Sequence, residues 1–273
     1  MKTQLEKATE FRHLHTRPGA FIIPNPWDAG SARLLAHCGF EALASTGAGH
    51  AFSCGLTDGG VGRERMLRYL AELTAATDLP VSADLEGGFG DAPETVAETI
   101  RLAAAAGVVG GSIEDASDDR DAPLYPLGLA VERIQAAAEA ARALPFPFTL
   151  TARAENFVVG QKDLDDTIRR LQAYQEAGAD VLFAPGLQSA GDIARVVAAV
   201  DRPVNVVMGF HGVQLGRTML EALGVKRVSA GGSLARAALG ALLRAAEEMR
   251  ESGTFHYAEE AVAARELSRI FGG

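Results

Sequence analysis

Acidic side chains recur just beyond short apolar runs. One run ends Ser82-Ala83-Asp84-Leu85-Glu86-Gly87-Gly88 and another ends Ser112-Ile113-Glu114-Asp115. A third, Ser45-Thr46-Gly47-Ala48-Gly49, leads into a loop that carries Asp58. Asp84 and Glu86 are two apart, so they share one face if the strand continues that far. Carboxylates meeting at one point repel unless a cation sits among them. Mg²⁺ suits such a group because it takes oxygen ligands, keeps several waters and leaves positions for a substrate; Mn²⁺ is the alternative. Any single Asp or Glu is otherwise a solvated loop charge or a helix cap. Asp91 is expected to be a cap, with Pro93 in the first turn and Glu94 at the capping-box position. Asp84, Glu86 and Glu114 stand apart because each directly follows a buried strand.

Arg153, in Thr151-Ala152-Arg153-Ala154-Glu155-Asn156, is the basic residue at a strand end on this side. It offers a planar, bidentate grip on a substrate carboxylate, or a salt bridge to an acid such as Glu114, or both. Gly47 and Gly49 leave backbone N–H groups open to an anion, although any sharp turn needs glycine. Asn205 lies in a later strand. His50 and His211 fall on loops of the same side, as proton shuttles or as ordinary polar residues. His13 and His15 precede the first strand, and His37 lies near a helix end. Cys54 has no evident activating base.

A repeating phrase positions these residues: an alanine-rich helix, a glycine, then a short apolar strand. Gly39, Gly107, Gly178 and Gly224 occupy the glycine place, where a helix end favours a left-handed residue. Unbroken apolar strands are those covered on both faces. The pattern predicts strands near 21–25, 41–45, 81–85, 109–114, 148–153, 181–185, 204–208 and 226–230. Helices fit near 28–38, 63–76, 92–106, 128–143, 163–177, 188–199, 213–223 and 233–251. Eight such units make an α/β protein, a (β/α)8 TIM barrel whose longer loops, around 46–62 and 114–127, build the site. The competing architecture is an open doubly wound sheet, but no Gly-x-Gly-x-x-Gly follows the first strand. Residues 1–273 are expected to form one domain. Residues 1–12 lie outside the eight units, and 254–273 form a helical extension. Phe255–Ile270 is an amphipathic helix that covers the barrel or packs on a neighbouring subunit.

The chain has 273 residues, 48% hydrophobic and 22% charged, which suits a large core and argues against disorder. A net charge of −9 weighs against nucleic-acid and anionic-membrane partners. Two cysteines make neither a disulfide framework nor a zinc pattern, and no signal peptide or membrane span is evident. A reduced cytoplasmic setting is expected.

At Pro24-Asn25-Pro26-Trp27-Asp28-Ala29-Gly30-Ser31-Ala32, Ser45-Thr46-Gly47, Gly55-Leu56-Thr57-Asp58, Asp84-Leu85-Glu86-Gly87-Gly88-Phe89-Gly90, Ile113-Glu114-Asp115 and Thr151-Ala152-Arg153, the sequence resembles the isocitrate lyase / phosphoenolpyruvate mutase superfamily. The likeness runs in order from about residue 11 to 250. It implies a Mg²⁺-dependent barrel acting on small 2-oxo or 2-hydroxy carboxylates, and a homotetramer: a dimer of dimers that exchange C-terminal helices. By position it makes Asp84 the direct metal ligand and lets Asp58, Glu86 and Glu114 hold metal-bound waters. Ser45, Thr46 and Gly47 then meet the substrate's carboxylate or oxo oxygen. Arg153 grips the substrate and Asn205 lies near the pocket. Arg153 and Glu114 are the catalytic candidates.

Two departures matter. Lyases of this superfamily carry a Lys-Lys/Arg-Cys-Gly-His loop whose cysteine is the acid/base, and that segment does not occur here. Residues 115–125 instead read Asp-Ala-Ser-Asp-Asp-Arg-Asp-Ala-Pro-Leu-Tyr, which also lack the Lys and Asn of the phosphonate-handling members. The expected activity is therefore a C–C lyase or an oxaloacetate-type decarboxylase working through a metal-stabilised enolate. The alternatives are a non-catalytic Mg²⁺-dependent binder of 2-oxo acids such as 2-oxoglutarate, and a phosphonate P–C mutase or hydrolase. For the last, Arg153 and Arg120 are the nearby cations.

Overall fold

The computed structural model describes residues 1–187, 189–210 and 214–272. Eight parallel strands form one sheet: β1 (Phe21–Ile23), β2 (Leu43–Ala44), β3 (Val81–Asp84), β4 (Gly110–Glu114), β5 (Thr149–Arg153), β6 (Val181–Phe183), β7 (Val204–Val207) and β8 (Arg227–Ser229). Their order is β1-β8-β7-β6-β5-β4-β3-β2. The Ala44 N–H donates to the Pro24 carbonyl at 3.0 Å and draws the two ends of the sheet together. The fold is thus a (β/α)8 TIM barrel, as the eight repeats predict. Gly39, Gly107, Gly178 and Gly224 all take positive φ, between 83° and 110°, as their helix-ending role requires.

Around the strands run α2 (Ala29–His37), α4 (Arg63–Ala76), α5 (Pro93–Ala105), α6 (Leu127–Arg142), α7 (Leu164–Ala177), α8 (Ala190–Ala199), α9 (Arg217–Ala222) and α10 (Ser233–Ser252). Besides the tail, two helices go beyond the eight repeats. Residues expected to lie outside the repeats form α1 (Gln4–Thr16), which opens with a capping box between Thr3 and Glu6. It closes the N-terminal end of the barrel, where Lys7 Nζ donates to Thr77 O and Gln4 Nε2 to Ala104 O. Gly110 is required there, because a Cβ would lie 2.8 Å from Phe11 Cε1. The 46–62 connection, expected as a loop, contains α3 (Gly47–Ser53), capped by the Thr46 hydroxyl.

The tail is not one helix. A short 3₁₀ turn at His256–Glu260 precedes α11 (Ala264–Phe271), which lies on α2 of the same chain. Arg33 Nη1 donates to Phe271 O at 3.2 Å. On α10 only Ala235 is buried, while Leu242 and Leu243 are 63% and 69% exposed, so its apolar side has no cover among the described residues.

The Asp91 expectation fails. Ala92 is the cap of α5 and makes no side-chain cap bond, while Asp91 Oδ1 accepts from Tyr125 OH at 2.6 Å. The β3–α5 loop is instead held by Arg133, which donates to the carbonyls of Gly87, Gly90 and Asp91 and stacks over Tyr125.

Candidate active site

A cavity of about 1710 Å³ opens at the C-terminal ends of the strands, lined by Ser45, Thr46, Asp58, Asp84, Glu86, Glu114, Arg153 and Asn205 among others. Asp84 ends β3 at its centre. Its Oδ1 accepts from Arg153 Nη1 at 3.0 Å, and its Oδ2 from the Gly47 N–H at 3.0 Å. Its own N–H donates to Ser45 Oγ at 2.7 Å. The Gly47 N–H, expected to be open to an anion, is thus engaged by a carboxylate of the chain. Thr46 is turned to capping, accepting from the Gly49 N–H.

Arg153, at the end of β5, binds three acids: Asp84 and Glu114 through Nη1 at 3.0 Å each, and Glu155 through Nε at 2.8 Å. The expected pairing with Glu114 is therefore present. Glu155, only 2% exposed, is not among the residues the sequence singles out, although it lies two residues beyond Arg153, just past the end of β5. Asp115 fixes this corner, accepting from the Glu155 N–H, Arg170 and Tyr174.

Glu86 reaches the group differently from expectation. Strand β3 stops at Asp84 and Glu86 has a left-handed φ of 50°, so a tight turn, and not a shared strand face, brings it in. Its Oε1 and Asp84 Oδ2 nonetheless converge on Gly47, at 2.8 and 3.5 Å from the place its Cβ would take. That Oε1 is buried and has no hydrogen-bond partner among the described residues.

Burial pushes the Glu86 carboxyl up to about 7, with Asp84 and Asp58 adding repulsion and Arg153 opposing. Burial likewise raises Glu114 to about 8 against the pull of Arg153, with Glu155 and Asp84 adding to the rise. Asp58 is raised by burial and by Asp84. Among the described residues, no three Asp, Glu, His or Cys side chains close tightly enough to enclose an ion by themselves. The donor set still fits a hard cation held by one carboxylate and by waters: all donors are oxygens, one is buried and unpartnered, and their charges outnumber the single guanidinium among them.

Asn205 is buried at the cavity wall, its Oδ1 accepting from Arg227 Nε at 2.9 Å and its Nδ2 donating to Ser229 Oγ at 3.0 Å. His50 stacks on Tyr69 with ring centroids 4.0 Å apart, and its Nε2 is 3.8 Å from Cys54 Sγ, a neighbour the sequence reading overlooked. His211 lies outside the described residues. The cations lining the cavity besides Arg153 are Arg63, Lys162, Arg227 and Arg236, and Arg120 is not among them.

The family model described as phosphoenolpyruvate phosphomutase matches residues 11–250. The chain belongs to that family. It thereby falls within the isocitrate lyase / phosphoenolpyruvate mutase superfamily that its motifs resemble. It is 31% identical over 209 residues to 2-methylisocitrate lyase of Bacillus subtilis (strain 168), covering 74% of this chain and 67% of that one. It is 28% identical over 256 residues to oxaloacetate decarboxylase of Chromohalobacter salexigens, covering 91% and 87%. A crystal structure from Burkholderia cenocepacia J2315, provisionally described as a lyase/mutase, superposes with a TM-score of 0.97 at 65% identity, over 99% of this chain and 97% of that one.

Proposed function

We propose that this chain is a Mg²⁺-dependent carbon–carbon lyase or decarboxylase acting on small 2-oxo or 2-hydroxy (di)carboxylates. The observation that carries the reading is the buried, unpartnered Glu86 Oε1 beside Asp84, in a cavity where acids outnumber the guanidinium that joins them. The lyase and decarboxylase named above support the chemistry.

Asp84 would hold the ion directly, and Asp58, Glu86 and Glu114 would hold its waters. A bound Mg²⁺ supplies Lewis-acid stabilisation of the negative charge that builds on a 2-oxo acid as the C–C bond breaks. Arg153 is held by three carboxylates, so its fork is oriented before a substrate carboxylate arrives. Ser45 and Thr46 shape the wall beside it. Burial raises the Glu114 carboxyl above the usual carboxylate range, and from its place beside Arg153 it can return a proton to the cleaved carbon. No residue takes the place of the absent loop cysteine in this reading. Decarboxylation gains by that, since it needs no proton removed before the bond breaks.

The uncovered apolar side of α10 supports an assembly in which subunits pack through their C-terminal helices, a dimer of helix-exchanged dimers. No described helix is long and apolar enough to cross a membrane.

Steady-state assays with oxaloacetate, 2-methylisocitrate and isocitrate, each with Mg²⁺ and with EDTA, test the proposal. Metal-dependent turnover of one of them is expected. Tight Mg²⁺-dependent binding of a 2-oxo acid without turnover of any would favour a non-catalytic binder.

A further inference from the structure

Two arginines of the barrel interior are buried in opposite ways. Arg153 is surrounded by Glu155, Glu114 and Asp84, which hold its proton more tightly than usual. Arg227, at the start of β8 and 5% exposed, has neutral partners: Nε donates to Asn205 Oδ1 at 2.9 Å, Nη2 to Thr151 Oγ1 at 3.0 Å, and Nη1 meets His15 Nε2 at 3.4 Å. His15 Nδ1 donates to the Phe11 carbonyl at 2.9 Å, so Nε2 is the acceptor, and burial with Arg227 nearby pushes the ring down to about 3. Desolvation lowers Arg227 to about 9, and no charged group among the described residues offsets it.

A buried cation without a counter-charge is costly. The third such arginine-sized case, Arg133, is met by three carbonyls and the Tyr125 ring, and it does not line the cavity. Arg227 does line it. Of an arginine's five N–H donors, three are used in these bonds, leaving two without an acceptor among the described residues. Beside Arg227, Asn205 passes its own N–H to Ser229, and Ser112 is paired in register with Thr151; these uncharged side chains also line the cavity. Thr151, which Arg227 bonds, and Arg153 stand two apart on β5 and share one face of the strand, so Arg227 meets the barrel one side-chain layer below Arg153.

We propose that the cavity floor is an anion subsite, in which the Arg227 guanidinium binds one small monoanionic group: a free halide-sized ion or the remote carboxylate of a bound dicarboxylate. The floor supplies the positive charge and the serine hydroxyls supply further donors. The subsite stands on Arg227 itself; only its assignment to the remote carboxylate rests on the function proposed above.

Crystals of the full chain soaked in sodium bromide should show an anomalous peak at hydrogen-bond distance from the Arg227 guanidinium. In solution, sodium chloride titrated at constant ionic strength against sodium gluconate should raise the wild-type Tm by about 3 °C at tenfold the dissociation constant. Arg227→Met should lose that rise, and if the variant does not fold, the wild-type measurements decide. Adding succinate to the bromide soak distinguishes the sources: a carboxylate replacing bromide assigns the floor to the dicarboxylate, and retained bromide assigns it to a free ion. Absence of a peak, or a peak with no chloride-dependent rise in wild-type Tm, overturns the proposal. None of these readouts uses turnover, so failure of the lyase assays leaves this result standing.

Discussion

Replacing Gly47 with alanine tests the cluster of acids through one methyl group. Gly47 is the first residue of α3 and does not take a left-handed φ, so its backbone accepts alanine. The added Cβ would fall 2.8 Å from Glu86 Oε1 and 3.5 Å from Asp84 Oδ2. Ordinary contact begins near 3.4 Å, so Glu86 must retreat by about 0.6 Å while Asp84 stays. A shift of about 1 Å at a reacting centre costs about 100-fold, so roughly half that shift should cost about tenfold in kcat/KM, or about 1.4 kcal/mol. Mg²⁺ affinity, measured by calorimetry, should weaken by a similar factor, with Tm changed by no more than about 2 °C. Unaltered Mg²⁺ affinity and turnover in a folded Gly47→Ala protein would refute the convergence of Glu86 and Asp84 on the ion.

Arg153→Lys should weaken dicarboxylate binding about tenfold or more, because a point charge cannot span the acids and a substrate together; equal affinity in a titration removes Arg153 from that role. Tyr174→Phe removes a donor from buried Asp115 and should lower stability by about 1–3 kcal/mol in urea unfolding, with kcat reduced through the Glu155 corner; unchanged stability would show that Arg170 alone suffices. His15 protonates near 6.5 when unfolded and near 3 when folded, so the unfolded chain holds the extra proton between those values. Its contribution is complete above pH 6.5 and falls as pH is lowered, by about 2 kcal/mol at pH 5. Urea unfolding of wild type and His15→Gln at pH 7 and pH 5 isolates that term; identical pH slopes would contradict it.

The barrel was legible because each repeat carries its own punctuation. The glycines at 39, 107, 178 and 224 mark helix ends, and the unbroken apolar strands mark burial on both faces. Helix α1 was missed although its capping box, Thr3 to Glu6, and its buried positions Ala8, Phe11 and Leu14 were in plain view. Its charged surface gave no alanine-rich phrase to match. Strand ends lead to Asp84, Glu114 and Arg153, which the structure brings into contact. Glu86 arrived for a different reason, since a positive φ on a non-glycine residue is set by tertiary packing and leaves no local pattern. Asp91 looked like a cap because capping is a local rule, whereas its actual partner, Tyr125, is 34 residues away. Arg227 sits at the beginning of a strand, where an arginine ordinarily reads as a solvated end, and only the closed barrel turns it inward.

The most direct test is a crystal structure of the full chain grown with Mg²⁺ and oxalate, a 2-oxo-acid mimic that does not turn over. The expected result is an ion bound by Asp84, with waters held by Asp58, Glu86 and Glu114, the oxalate chelating the ion, and Arg153 at its carboxylate. Asp84 still bonded to Arg153 and the Gly47 N–H, with no ion density beside Glu86 at saturating Mg²⁺, would contradict it.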